Sequence, residues 1–178
     1  MSDSIYRQLQ ERLDLFSMGF PATDSGIEIK ILRYLFSEED AEMFLALSHT
    51  LEAPASVASR LGQSPEDTAA RMDDMAERGL LFRLKKESGA TYGVIPFVHG
   101  LYEFQVKTLE RDLAEMVEQY FEEAFDKAMQ DGADYFLRPI PVHQSIDARH
   151  HVASYNDAVE ILKSKPRIVV TDCISVSY

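Results

Sequence analysis

The chain has 178 residues, 46% of them hydrophobic and 27% charged, and its net charge is −12. This composition excludes a wholly disordered chain, and no apolar stretch approaches the roughly 20 residues that a membrane-spanning helix needs. The single cysteine excludes an intrachain disulfide, and the acidic start has no apolar core typical of a signal peptide, so we expect a cytoplasmic protein.

The first part of the chain predicts three helices. Residues 1–25 contain a helix, in which Leu9 and Leu13 recur at helical spacing, and a connector rich in glycine and proline. The apolar pattern of 27–36 predicts a second helix. A third is expected directly after Ser37, which is a suitable N-cap and is followed by three acidic residues where the helix dipole favours negative charge.

Two further helices have clear start and stop signals. Pro54 and Gly62 mark the beginning and the end of a short helix. The clearest helix of the chain lies at 65–78, with Ser64 as its expected N-cap and Gly79 directly after its last turn.

A hairpin is predicted next, because two short strand-like runs, 81–84 and 91–95, flank a cluster of turn residues. Helices followed by a capped helix and a hairpin are the order of a winged helix-turn-helix domain, which we expect at residues 26–96. The expected fold class is α+β and mainly α, with this domain followed by a long helical segment and a small α/β tail.

Residues 97–132 predict one or two long helices with an acidic solvent face. Apolar residues recur there at three- and four-residue steps, and the region 103–134 has ten acidic residues against three basic ones. Such a run is typical of a solvated helix face, although its aromatic inner side could serve a partner or a dimer. The tail, 133–178, predicts a strand, a helix at 155–163 and a second strand at 168–171.

The helix at 65–78 would enter the major groove if this were a DNA-binding helix-turn-helix. Five of the six residues on its outward arc are carboxylates: Glu66, Asp67, Ala70, Asp73, Asp74 and Glu77. Only Arg71 and Arg78 flank the arc, and residues 26–96 have eight basic against twelve acidic residues. Because phosphate contacts need Lys or Arg, the sequence favours a protein-interaction role, and a contact by the basic wing at 83–86 stays open.

Few residues suggest chemistry. One histidine-rich stretch could in principle hold a metal ion through His143, Asp147, His150 and His151. Adjacent histidines point in different directions on any regular element, so a polar loop is the preferred interpretation. Cys173 follows an apolar run and is interpreted as a small apolar residue at the end of a strand. The sequence has no phosphate-binding glycine loop and no nucleophile elbow, so we do not expect an enzyme.

Four stretches in this order, "GFPATDSGIEIKILRYLF", "LYEFQV", "IPVHQSID" and "RIVVTDCI", resemble a family of bacterial and archaeal iron–sulphur proteins. Its members have an N-terminal winged helix followed by a ferredoxin-type region with a [4Fe–4S] cluster. In that family the last strand runs into a Cys-Ile-Cys-Arg segment. The resemblance therefore makes Cys173 the first cysteine of the cluster region, while Ser175 and Val176 stand where the second cysteine and the arginine would be.

The resemblance implies a function and an expectation about the chain end. We expect the non-catalytic N-terminal portion of a ferredoxin-type protein, truncated or frameshifted before the cluster region, that docks on or regulates an electron-transfer partner. The cluster is expected in the full-length family member and not in this chain, because one thiol cannot replace four. A protein partner or a homo-oligomer is expected, rather than nucleic acid or a membrane. The alternative is a winged-helix DNA-binding transcriptional regulator.

Overall fold

A computed structural model describes residues 2–16, 19–87, 89–125, 155–170 and 172–173. The described residues are mainly helical, with one small antiparallel sheet, so the expected α+β and mainly α class is confirmed. None of the described helices is both long and apolar enough to cross a bilayer.

The chain divides into two compact units, Met1–Phe136 and Leu137–Tyr178. In the described part of the first unit, the helices are α1 (Ser2–Asp14), α2 (Ile27–Leu35), α3 (Glu38–Ala46), α4 (Pro54–Leu61), α5 (Pro65–Glu77) and α6 (Arg111–Tyr120). The predicted helices up to α5 are confirmed, with ends within two residues of the expected positions. Helix α1 packs on α2 and α3, while α2 also packs on α6.

The helix starts follow from local hydrogen bonding. Ser37 forms a full capping box with Asp40, because the Ser37 hydroxyl accepts from the Asp40 N–H (3.1 Å) and the Asp40 carboxylate accepts from the Ser37 N–H (3.2 Å). The Ser64 hydroxyl accepts from the Asp67 N–H at the start of α5 (3.0 Å). After α5, Gly79 takes φ +75°, and a Cβ there would lie only 2.7 Å from the side chain of Phe104.

The hairpin is confirmed with a small shift in its ends. Strand β1 (Phe82–Lys86) pairs antiparallel with β2 (Gly89–Gly93), and the far side of β2 makes one bridge, between Tyr92 and Glu52. Strand β1 therefore starts one residue later than predicted, and strand β2 ends two residues earlier than predicted. Leu81 and Ile95 lie outside the ladder, and both side chains are buried in the core.

Residues 97–110 do not form the predicted long helix. Phe97–Leu101 is a turn with non-helical backbone angles at three central residues, and Glu103–Gln105 is a single 3₁₀ turn. The Glu103 carboxylate accepts from the Gly100 N–H (2.6 Å), so this N–H is bonded by a side chain and not by a helical carbonyl. Regular helix begins only at α6 and continues as a wider turn, Phe121–Phe125. The rest of the predicted segment, 126–132, lies outside the described residues.

The connector between α1 and α2 is anchored in an aromatic cluster. Phe20 is fully buried, and its ring centroid lies 4.4 Å from that of Phe97 and 4.8 Å from that of Tyr120. The backbone of Phe20 is held as well, since its N–H donates to Asp14 Oδ1 (2.7 Å) and its carbonyl accepts from Gln10 Nε2 (2.6 Å). The connector, which the sequence predicts to be a loop, therefore links α1 to α6 through Phe20.

A buried carboxylate, that of Glu28, adds polar contacts between α1, the connector and α2. Glu28 on α2 is completely buried, and its Oε2 accepts from the Thr23 hydroxyl (2.5 Å). Its Oε1 lies 3.0 Å from the guanidinium of Arg7 on α1. These two contacts link the connector and α1 to α2.

In the second unit, helix α7 (Tyr155–Lys163) has the predicted bounds. The predicted strand at 168–171 is wrong for the residues described there, since 168–170 have no regular secondary structure. A strand needs a neighbouring ladder, and β-branched residues alone do not supply one. The strand predicted at the start of the tail lies outside the described residues.

Replacing Phe20 by alanine tests the role of the connector. We expect Phe20→Ala to lower the free energy of unfolding by about 3–5 kcal/mol, because it leaves a cavity between the rings of Phe97 and Tyr120. Phe104→Ala is the matched control, since this side chain is 47% exposed, and should cost about 1 kcal/mol. Urea denaturation measures both. Equal losses for the two variants would contradict the anchoring role.

Candidate functional site

The two sides of α5 differ as the sequence predicts. Its inner side is buried through Thr68, Met72 and Met75. Its outer side exposes mostly carboxylates: Glu66, Asp67, Asp74 and Glu77, together with Ala70. We call these five residues the outer face of α5. Asp73 differs from the prediction, because it is half-buried and bonded to the hairpin.

The arginines beside the outer face turn toward α3 and bind Asp40, whose side chain is only 4% exposed. Arg71 donates to Asp40 Oδ1 (3.2 Å) and Arg78 donates to Oδ2 (3.0 Å). Arg71 also binds Glu39 (2.9 Å) and Arg78 also binds Asp74 (2.7 Å). Two cations that the sequence leaves available for phosphate are therefore held by three carboxylates.

This network perturbs the titration of Asp40. Burial alone would raise the pKa of the Asp40 carboxyl, but the Ser37 N–H and the Arg78 guanidinium outweigh it, so the pKa lies below its usual value. Asp40 therefore stays ionised at neutral pH and binds both arginines as a full negative charge.

A second network joins α5 to the hairpin through Asp73. Its Oδ1 accepts from Arg83 Nη1 (2.6 Å) and from the Tyr92 hydroxyl (2.7 Å), while Glu77 lies 3.5 Å from Arg83. The bond from Arg83 lowers the pKa of Asp73, and the bond from Tyr92 adds to that effect. Burial, with the nearby Asp73 charge, raises the pKa of Tyr92 to about 12, so Tyr92 stays a neutral donor.

The remaining arginines of residues 26–96 are also engaged. Arg60 on α4 contacts the Glu52 carboxylate and the Ala46 carbonyl. The Arg33 guanidinium lies 5.4 Å from the centre of the Tyr6 ring. All five arginines of this region therefore contact other groups of the chain.

Two open clefts occur in the described part of the first unit. The larger, about 510 Å³, lies between α1 and α3 and is lined by Ser4, Ile5, Gln8, Glu42, Leu45 and Leu61. The smaller, about 310 Å³, includes Arg78 and Gln105, and both of these side chains already have hydrogen-bond partners. In the smaller cleft the Tyr34 hydroxyl also donates to Glu110 Oε2 (2.9 Å), so the carboxylate that lines it is hydrogen-bonded as well.

The predicted metal ligands are only partly placed. Cys173 is exposed, so its interpretation as a buried filler at a strand end is wrong. The histidine-rich stretch with His143, Asp147, His150 and His151 lies outside the described residues, as do Ser175 and Val176. Within the described ranges, no group of three or more potential ligands could hold a metal ion. The residues of the chain do not fit a [4Fe–4S] cluster, because it has one cysteine and the cluster needs four thiolates.

Asp40 is the residue of this site that sequence reasoning misses. In the sequence it is one of three acids in the first turn of α3, and only its capping-box spacing from Ser37 distinguishes it from Glu38 and Glu39. The available signal is on the other helix, where Arg71 and Arg78 are seven residues apart and so share one side. Two arginines in that arrangement can reach a common carboxylate, but only the tertiary contacts between α3 and α5 show which one.

Comparisons with known proteins identify no relative: no family model matches the chain, and no curated protein sequence is significantly similar to it.

The Asp40 network predicts a pH-dependent stability. A carboxyl whose pKa is lowered by folding contributes stability above its unfolded pKa, near 3.8, and that contribution is lost as the pH falls through the folded value. We expect Asp40→Asn to lose about 1–3 kcal/mol at pH 7 and to flatten the change in stability below pH 3.8. Urea unfolding across pH 2–7 measures this. Glu42→Gln, on the exposed side of the same helix, is the control, and an identical pH profile for both variants would exclude the network.

Proposed function

We propose that residues 26–96 form a winged helix-turn-helix domain that contacts protein rather than reading DNA. The order of the elements supports this proposal: α2 to α5 are followed directly by the hairpin, and Asp73 on α5 binds Arg83 and Tyr92 on the two strands. In this arrangement α5 takes the place of the recognition helix and the hairpin takes the place of the wing.

One observation supports the protein-interaction role above the others. Arg71 and Arg78, which flank the outer face of α5, are already bound to Asp40. Groove binding requires cations that reach the phosphates. Arg71 and Arg78 would have to leave Asp40 to do so, and removing the partners of a buried carboxylate typically costs about 3–5 kcal/mol. That cost would come on top of the repulsion between the phosphates and the exposed carboxylates of the outer face of α5.

The exposed charge suits a basic protein surface. The outer face of α5 has four carboxylates, and α6 with its following turn exposes four more: Asp112, Glu115, Glu118 and Glu122. Complementary charge mainly raises the rate of association and selects the partner, whereas affinity comes from the contacts buried afterwards. A partner with a basic docking face therefore fits this unit.

The resemblance to ferredoxin-type iron–sulphur proteins gives the proposal its context. In that context this chain is the N-terminal portion of such a protein, and the domain docks on or regulates an electron-transfer partner. The cluster belongs to the cysteine-rich region that follows in the family, and Cys173 stands at its first cysteine.

A DNA-binding regulator is the second candidate, and one observation favours it. Lys85 and Lys86 are exposed near the end of the hairpin, and no ion pair joins them to a carboxylate in the described part of the chain. These lysines could contact phosphate from the wing without help from α5.

Duplex binding separates the two candidates. We expect the dissociation constant for mixed-sequence duplex DNA to be above about 1 µM at 0.15 M salt, because most charges facing the DNA would be negative. Fluorescence anisotropy of a labelled duplex at several salt concentrations is the measurement. Sub-micromolar binding that weakens steeply with salt would contradict the protein-interaction role. Its loss in Lys85→Glu/Lys86→Glu would then assign the contact to the wing.

The iron–sulphur context has its own test. We expect the nucleotide sequence after codon 178 to encode clustered cysteines, in the same or a shifted reading frame, because the family continues from this position into its cluster region. Sequencing the genomic region downstream gives the answer. A downstream sequence without such codons in any frame would contradict this part of the proposal and leave the role of α5 untouched.

A further inference from the structure

The two edges of the hairpin differ in how they are covered. Strand β1 pairs with β2, and the far side of β2 is covered by the bridge between Tyr92 and Glu52. In this bridge the two residues exchange both backbone hydrogen bonds, each 2.8 Å long. The N–H and the carbonyl of Tyr92 therefore point away from β1.

The register of the hairpin then fixes the direction of the backbone groups of β1. Arg83 lies opposite Tyr92 and Lys85 lies opposite Ala90, so both are pairs without a hydrogen bond between the two strands. The N–H and carbonyl groups of Arg83 and Lys85 accordingly point outward, away from β2. In the part of the first unit that the structure describes, these groups make no backbone hydrogen bond to another element. Strand β1 thus has an open edge.

One side of the sheet is apolar beside this edge. Phe82 and Leu84 point to this side, since strand residues two apart share a side. A Cβ at Gly93, opposite Phe82, would lie 3.0 Å from Leu51, which places Leu51 on the same side. Phe82 is 43% exposed and Leu51 is 44% exposed, so a further strand could cover both.

The end of β1 is basic. Lys85 and Lys86 are exposed, and they point to opposite sides of the sheet. Arg83 adds little to this charge, because Asp73 and Glu77 already bind it. A strand added to the open edge would therefore meet apolar side chains near the beginning of β1 and two cations near its end.

We propose that β1 is a docking strand for an extended acidic peptide segment of a partner protein, which adds antiparallel to the open edge. Such a segment passes Lys86 and Lys85 first, and then Leu84, Arg83 and Phe82. Residues opposite each other share a side, so the segment that fits has two acids, a β-branched residue, a small polar residue and a second β-branched residue. Main-chain bonds to Arg83 and Lys85 supply affinity, and the side-chain pairs select the sequence.

This surface is distinct from the outer face of α5, so the inference does not depend on the role proposed for that face. The two surfaces are also opposite in charge. One suits a basic partner surface, and the other suits an acidic segment.

A second copy of this chain fits the open edge less well. When β1 pairs antiparallel with itself about a two-fold axis, Arg83 lies opposite Lys85, or one of these two residues lies opposite its own copy. Each of these registers puts cations opposite each other. Lysines on an edge strand commonly prevent such self-pairing, and they do not oppose an acidic strand.

Nucleic acid also uses less of this surface than a peptide strand does. Phosphates could contact Lys85 and Lys86, but they cannot donate to the outward carbonyls of β1. They would also leave the exposed side chains of Phe82 and Leu51 uncovered. An extended peptide has donors for the carbonyls and apolar side chains for this patch.

The first test measures binding of a labelled peptide with blocked ends, Ser-Glu-Glu-Val-Thr-Ile-Ser, to the full chain by fluorescence anisotropy. We expect a dissociation constant of about 10–100 µM, because a five-residue strand forms few bonds and a small interface. The reversed peptide, Ser-Ile-Thr-Val-Glu-Glu-Ser, should bind at least about fivefold more weakly, since its acids would lie beside Phe82. Absence of binding of the first peptide up to about 1 mM would overturn the proposal.

Methylation of the peptide backbone tests the pairing itself. The second glutamate and the threonine lie opposite Lys85 and Arg83, so their N–H groups face β1, whereas those of the valine and isoleucine face away. N-methylation of the first two should weaken binding at least about tenfold, and N-methylation of the other two should change it by less than about threefold. Equal effects, or the reverse order, would contradict strand addition in this direction.

Variants of the protein test the charge pairing. Lys85→Glu should weaken binding of the first peptide at least about fivefold, because it puts two carboxylates opposite each other. Lys107→Glu is the matched control, since it makes the same charge change at an exposed lysine outside the hairpin, and it should have an effect below about twofold. Displacement of the peptide by an equimolar mixed-sequence duplex would assign the lysines to phosphate and overturn the proposal. A dimer of the chain that competes with the peptide would also overturn it, by placing a second copy on the edge.

Discussion

The ionised carboxylate of Asp40 determines what the outer side of α5 can offer to a partner. It is buried, and it stays charged because the Ser37 N–H and the Arg78 guanidinium outweigh the effect of burial on its pKa, while Arg71 binds its other oxygen. The bonds to the two arginines remove the cations that stand nearest to the outer face of α5. Stability and surface charge are therefore linked: the contact that holds the two helices together also leaves that face negative.

The aromatic cluster around Phe20 plays a corresponding part for α6. Because Phe20 lies between Phe97 and Tyr120, the connector after α1 and the start of the segment after the hairpin meet at one place. Helix α6 then buries Leu113, Val117 and Tyr120 and turns its carboxylates outward. Two separate sets of contacts therefore position the negative surface of the first unit. One is the polar network of Asp40, and the other is the aromatic cluster around Phe20.

The elements that local chemistry specifies could be predicted, and those that need a distant partner could not. Ser37, Ser64 and Gly62 act within one turn of their own position, and the helices they bound are where the sequence places them. Residues 97–110 are predicted to be helical, yet Phe97 packs against the distant rings of Phe20 and Tyr120 and the backbone directly after it is non-helical. The run 168–170 has strand composition, but a strand requires a ladder that the described chain does not provide.

The sequence by itself determined the sign of charge along α5, since the spacing of its carboxylates places them on one side of any helix. Only the tertiary structure decided what becomes of the arginines and of Asp73. Arg71 and Arg78 are paired through α3, and Arg83 reaches Asp73 from the hairpin. These contacts join positions ten to thirty-eight residues apart in the chain, and helical periodicity carries no information at such separations.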